Sequence, residues 1–261
     1  MQSVLLNCDK DKTFLTYHIL CTPDLTERSL TILKSFMYKY SFNLEMIFYN
    51  MGDNFMHLKK RRLSQAAYYR MLLPIFTNLK RIIHLDGDSL TFKDLGEMYQ
   101  LEFNNKSIMG ILDFDSYGID YLGLKSEKFI NTGVLLINLE KIRNDKKYYD
   151  LINITTKIGL KHEDQTAFNC ILYPDIGILP YKYCIFNFYK TLDIQNYANR
   201  LRQKINVTEI EEAVKVPTIV HVLSKPWKSK NKYNIYLDKW IFFANKTDYY
   251  PEIVQYMDKF K

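Results

Sequence analysis

Cysteine is scarce. The 261 residues hold four, Cys8, Cys21, Cys170 and Cys184, with no Cys-x-x-Cys and no tight pair. That spacing fits the reduced thiols of a cytoplasmic protein and not a disulfide framework. Long apolar runs are missing as well: none approaches the roughly 20 residues needed to span a bilayer. The opening MQSVLLNCDKDK turns polar too soon for a secretory signal. There is no internal repeat, no low-complexity segment and no obvious linker. These absences leave a soluble protein, or one peripheral to a membrane at most.

The chain that remains is 47% hydrophobic and 25% charged, a globular balance. Its length suits one large domain, or one with a small appendage. With Tyr 21 and Phe 16, the core should be rich in aromatics. The net charge of +7 allows anionic substrates, a membrane surface or nucleic acid as partners. The basic clusters, Lys59-Lys60-Arg61-Arg62 and Lys225, Lys228, Lys230 and Lys232, join no nucleic-acid module, so no nucleic-acid partner is expected.

Strands are expected at 13–21, 44–50, 80–86, 107–114, 133–140 and 217–223, where apolar, β-branched and aromatic residues cluster. Helices are expected at 22–40, with Asp24 and Glu27 as a capping box, and at 63–76, with Ser64 as cap and Pro74 near the end. Further helices are expected at 95–101, 164–172, 209–215 and 233–246. Such alternation predicts an α/β fold with a mostly parallel sheet covered on both faces. Ligands bind such sheets at the carboxyl ends of the strands. Residues 1–185 are expected to form the core, and 186–261 a C-terminal portion of the same domain that completes the site.

One apolar run, Ile82-Ile83-His84-Leu85, ends in Asp86-Gly87-Asp88. Carboxylates at i and i+2 can point the same way off a strand end. Side by side they repel unless one is protonated or a cation sits between them. Hard oxygen ligands suit Mg²⁺ and Mn²⁺, with open positions left for phosphate oxygens. The bland alternative is a polar turn after a strand.

The neighbouring segments bear on that choice. SQAAYYRMLLP, HLDGDSL, FINTGVLLINLEKIR, HEDQTAFN and IVHVLSKPW occur in that order. Together they resemble glycosyltransferase family 8, over about residues 13–243. The resemblance implies a GT-A-type, Rossmann-like fold and a retaining, metal-dependent hexosyltransferase. It further implies Mn²⁺ (or Mg²⁺) as cofactor, a UDP-hexose donor such as UDP-glucose or UDP-galactose, and a saccharide or glycolipid acceptor. Lipopolysaccharide, a capsular glycan or a glycoprotein would qualify.

By the same resemblance, Asp86 and Asp88 are the metal-binding pair and His221 the third ligand. Lys225 meets the leaving diphosphate. Arg70, Asp113, Asn131 and Asp164 contact the donor sugar, and Gly133 lets the backbone approach it closely. Asp164 and Gln165 face the anomeric carbon, with Trp227 only packing. Gln165 is a poor nucleophile, which favours front-face attack over double displacement.

Three departures accompany the match. The family's opening strand, which binds uracil and ribose, is missing from this sequence; Thr166 replaces the last aspartate of the family's Asp-Gln-Asp; and Ser224 replaces a glycine near the phosphates. Two other readings stay open. The stretch IIHLDGDSLT is also similar to the signature of haloacid dehalogenase phosphohydrolases, but the acidic pair they need downstream is not there. A non-catalytic relative of the family, acting as a binding or scaffold protein, is the second.

Overall fold

The computed structural model describes residues 1–39, 44–52, 54, 65–113, 129–157, 163–186, 193–196, 206–223 and 235–258. The chain divides into two compact units. One comprises Met1–Thr13, Leu85–Met98 and Leu179–Lys261, the other Phe14–His84 and Tyr99–Ile178. In chain order the strands are β1 (Leu15–Cys21), β2 (Leu44–Asn50), β3 (Arg81–Leu85), β4 (Ser89–Thr91), β5 (Ile108–Gly110), β6 (Val134–Asn138), β7 (Ile176–Ile178), β8 (Ile185–Phe186) and β9 (Ile219–His221). The helices are α1 (Gln2–Asn7), α2 (Glu27–Lys39), α3 (Leu73–Phe76), α4 (Gly96–Tyr99), α5 (Leu139–Asn144), α6 (Lys147–Lys157), α7 (Glu163–Leu172), α8 (Val207–Lys215), α9 (Leu237–Ala244) and α10 (Tyr250–Asp258).

In the unit built on Phe14–His84 and Tyr99–Ile178, β1 and β2 pair in parallel, from Leu15 opposite Leu44 to Cys21 opposite Asn50. A four-stranded sheet runs β3-β6-β5-β7. Within it β5 is antiparallel to β6 and parallel to β7. The expected α/β fold is present, and among the described residues its sheets include antiparallel as well as parallel pairings. Strand β6 reads Val-Leu-Leu-Ile, with its first four residues buried, so it is a central strand with no wet face. Its last residue, Asn138, turns the chain into α5 by accepting from Lys141 N at 3.0 Å. Helix α7 packs Ala167, Phe168 and Leu172 into a core with Ile108, Ile130, Leu135, Ile137 and Ile176. Burial of side chains of this size stabilises by about 1.5–3 kcal/mol each.

In the other unit, β9 pairs antiparallel with β4 and parallel with β8. Helix α1 lies along β4: Ser3 Oγ accepts from Thr91 N at 3.1 Å, and Asn7 Nδ2 donates to Thr91 O at 3.0 Å. Helix α8 starts at Asn206, whose Oδ1 accepts from Glu209 N at 3.2 Å.

Two local expectations change. Residues Gln65–Leu72 form a 3₁₀ helix and only Leu73–Phe76 is α-helical, with Pro74 inside that first turn, where its missing N–H is harmless. At the start of α2 the cap is Thr26, not Asp24: Thr26 Oγ1 accepts from Ser29 N at 3.1 Å. Ser64, Ser224, Lys225, Trp227 and the clusters 59–62 and 228–232 lie outside the described residues. None of the four cysteines is in a disulfide. Burial pushes the Cys170 thiol on α7 up to about 11, so it is no nucleophile at neutral pH. Among the described residues no helix is long and apolar enough to cross a membrane.

Candidate active site

Asp86 follows β3 directly. Ser89 N donates back to Asp86 O at 3.0 Å, so Asp86-Gly87-Asp88 is a tight turn feeding β4. The register of β4 on β9 sets Ser89 opposite His221, and Val222 N donates to Asp88 O at 2.9 Å. Residues 133 positions apart in the chain therefore become neighbours: His221 Nε2 stands 3.2 Å from Asp88 Oδ1. One ligand atom each from Asp86, Asp88 and His221 lies within 4.8 Å of the others.

The donor set fits a divalent cation. Ligands of a six-coordinate ion at about 2.1 Å stand about 3–4.2 Å apart, so side-chain shifts of a few tenths of an ångström close the group. The imidazole is buried and the carboxylates half-buried. His221 Nδ1 is buried with no hydrogen-bond partner among the described residues. It can carry the ring proton and leave the Nε2 lone pair directed at the carboxylates' side.

The residues predicted to contact sugar form a second group, in the unit that holds β5, β6 and α7. Asp113 and Asn131 lie diagonally across a short antiparallel pairing. Asp113 N donates to Phe129 O and Asn131 N to Ile111 O, both at 2.9 Å, with an antiparallel bridge at Leu112 and Ile130. Asn131 Oδ1 accepts from Gly133 N at 2.9 Å, which locks its side chain to its own backbone. Its Nδ2 donates to Asp113 Oδ2 at 3.1 Å and to Gln165 Oε1 at 3.2 Å. Gln165 answers with Nε2 to Asp113 Oδ2 at 2.7 Å, and its Oε1 also accepts from Thr132 N at 3.2 Å. Both ends of the Gln165 amide are thus engaged. A half-buried carboxylate, Asp113, collects two N–H donors, and the three side chains form one network.

Arg70 and Asp164 adjoin this network. Asp164, buried at the start of α7, sits with Oδ2 3.2 Å from Arg70 Nε. Thr132 Oγ1 reaches the same oxygen at a long 3.5 Å. Arg70 Nη1 donates to Thr132 O at 2.5 Å and lies 2.6 Å from His84 Nε2. The arginine among apolar residues is therefore paired, as burial demands.

Three residues went unseen in the sequence. Thr132 acts through its backbone N and O, which no side-chain pattern reveals. His84 passed as one more member of an apolar run. Asn169, also buried, accepts from Ile130 N and donates to Ile130 O and Gln165 O, each at 2.8 Å. It ties α7 to the segment that carries Asn131. Its one sequence signal was its place four residues after Gln165, on a helix otherwise apolar in its last turns.

One unit thus holds a strand-end acidic pair joined by a histidine, and the other a network of amides and carboxylates. The chain matches the sequence model of Glycosyl transferase family 8 over residues 1–231 and belongs to that family. By class it is a hexosyltransferase with the GT-A α/β fold. It is 24% identical over 258 residues to General stress protein A of Bacillus subtilis, covering 94% of this chain and 87% of that one. It is also 24% identical over 191 residues to Glycosyltransferase GlyB of Streptococcus pneumoniae, covering 72% of this chain and 44% of GlyB. The chain thus spans most of the first relative but less than half of the second. Among solved structures, the galactosyltransferase LgtC in complex with donor and acceptor sugar analogs aligns with a TM-score of 0.71 at 16% identity, over 95% of this chain and 90% of that one. The apo bifunctional enzyme WbbM aligns with a TM-score of 0.76 at 16% identity, over 98% of this chain and 48% of that one. At such identity the likeness is one of fold.

Proposed function

We propose that this protein transfers a hexose from UDP-glucose or UDP-galactose to a saccharide acceptor with retention at the anomeric carbon. The observation that carries the reading is the group of Asp86, Asp88 and His221, within 4.8 Å, on a family 8 chain. These residues would hold Mn²⁺ or Mg²⁺, and an ion there would supply positive charge to offset the donor's diphosphate and make UDP a better leaving group. The likeness in fold to the galactosyltransferase LgtC, solved with donor and acceptor sugar analogs, supports a hexose donor.

In this reading Arg70, Asp113, Asn131 and Asp164 orient the sugar through its hydroxyls, and Gly133 leaves room for it. Lys225 offsets negative charge on the departing diphosphate. Gln165 and Asp164 stabilise the oxocarbenium-like transition state. The Gln165 carbonyl, already accepting two N–H bonds, is spent as a nucleophile. That supports attack by the acceptor on the face the leaving group vacates. Lipopolysaccharide core, a capsular glycan or a glycoprotein is the acceptor class, and the basic C-terminal part meets an anionic membrane when the acceptor is lipid-linked.

The test is a panel of UDP-sugars, read by thermal shift and by transfer, with Mn²⁺ and with chelator. A UDP-hexose should raise the melting temperature only when metal is present. Asp88→Ala should lower metal-dependent turnover about a hundredfold or more while the fold is kept. Undiminished turnover in Asp88→Ala, or in chelator, would overturn the reading. No turnover together with no nucleotide-dependent shift would favour a scaffold.

A further inference from the structure

We propose that His84 is a positioning residue that sets the orientation of the Arg70 guanidinium and, through it, recognition of the donor's sugar. The inference rests on the function proposed above. His84 stands in β3 between apolar neighbours, at a place where a phenylalanine or leucine would suit the strand as well. What histidine adds is an acceptor. Its Nε2 lies 2.6 Å from Arg70 Nη1. A guanidinium has only N–H donors, so Nε2 must accept and the ring proton must sit on Nδ1.

The contact completes the fixing of Arg70. Its Nε edge is held by Ala67 O at 3.2 Å and by Asp164 Oδ2 at 3.2 Å. Its Nη1 is held by His84 Nε2 and by Thr132 O. Bonds on one edge alone let the group pivot; bonds on both fix the plane. The hold also reaches the amide network, because Thr132 donates its own N–H to Gln165 Oε1 at 3.2 Å. Removing the acceptor at 84 leaves Nη1 with Thr132 O from this pair and loosens the orientation of a group that meets the hexose, not the nucleotide.

That distinction gives the experiment. His84→Phe keeps the ring volume without the acceptor. His84→Gln places an amide oxygen near the Nε2 position, and His84→Asn falls short of it. Affinities for UDP and for UDP-hexose are measured calorimetrically with metal on the full chain. His84→Phe and His84→Asn should weaken UDP-hexose about tenfold or more and leave UDP unchanged, while His84→Gln should return UDP-hexose to within about threefold of the parent. Loss of UDP and UDP-hexose affinity in parallel would mark a structural role and overturn the proposal, as would a His84→Gln no better than His84→Asn. Should His84→Phe fail to fold, the Gln and Asn pair still decides. In the parent protein, ¹⁵N-histidine spectra should show the Nδ1–H tautomer at His84; an Nε2–H ring overturns the contact itself. That reading needs no activity, so a parent protein that binds no UDP-hexose refutes the function proposed above and leaves the tautomer to judge His84.

Discussion

Asp164 is a carboxylate almost removed from water, and Arg70 Nε is 3.2 Å away. A buried ion pair adds little over an apolar pair of the same shape, but breaking it by removing one partner is expensive. Arg70→Met should therefore destabilise the protein by about 3–5 kcal/mol in urea unfolding, and adding Asp164→Leu should recover more than half of that. A single variant as stable as the parent would refute the pairing. This residue scale is also where the sequence was most and least legible. Side chains whose chemistry is intrinsic, such as Asp86, Asp88, Gln165 and Asn131, announce themselves in short motifs. His84, Thr132 and Asn169 do not, because each acts on an atom that only the fold brings near. Asn169 binds backbone 39 positions away, and His84 an arginine 14 positions away.

At the scale of elements, the site depends on how closely β5 approaches the segment before β6. A Cβ on Gly110 would stand 3.0 Å from Asn131 O, Ile130 Cδ1 and Leu135 Cδ2. Asn131 cannot retreat without straining its bonds to Ile111 O, Asp113 and Gln165. Gly177 on β7 is the comparison: its Cβ would meet Met109 Cγ at 2.9 Å and Lys106 Cγ at 3.3 Å, with no atom of Asn131 among its nearest neighbours. Gly110→Ala and Gly177→Ala should each cost about 1–3 kcal/mol in urea unfolding, but only Gly110→Ala, which presses on Asn131, should also lower transfer activity. An equal loss of activity in the two variants would show that the approach at Gly110 does not carry the site. Elements with a strong period or an unbroken apolar run, such as β1, β2, β6 and α7, were legible in the sequence. The 3₁₀ winding of Gln65–Leu72 was not, because apolar spacing does not separate it from an α-helix over eight residues. The antiparallel pairings of β4 with β9 and of β5 with β6 were not legible either, since pairing is a property of distant segments.

At the scale of the whole molecule, the family match ends at residue 231, and helices α9 and α10 follow it. They carry apolar side chains in water: Phe242 is 53% exposed and Val254 37% exposed. Lys246 Nζ lies 5.6 Å from the centre of the Phe242 ring, and Lys239 is exposed on the same helix as Phe242. The proposed contact with an anionic bilayer would draw on the chain's net charge of +7 and on the Phe242 ring, because residues 237–258 offset Lys239 and Lys246 with Asp238, Asp248, Glu252 and Asp258. Each lysine near a bilayer surface contributes about 1 kcal/mol, and an aromatic ring inserts at the headgroups. The full chain should sediment with phosphatidylglycerol vesicles at about 50 mM salt and be released at about 500 mM, as the screening length shrinks below about 5 Å. It should ignore phosphatidylcholine under both conditions. Phe242→Ser should weaken sedimentation without altering transfer to a soluble saccharide, because the substitution touches adsorption and not the acidic pair or its histidine. Binding that survives high salt, or that is equal on neutral vesicles, would mean that charge does not drive contact and that a lipid-linked acceptor must be reached another way.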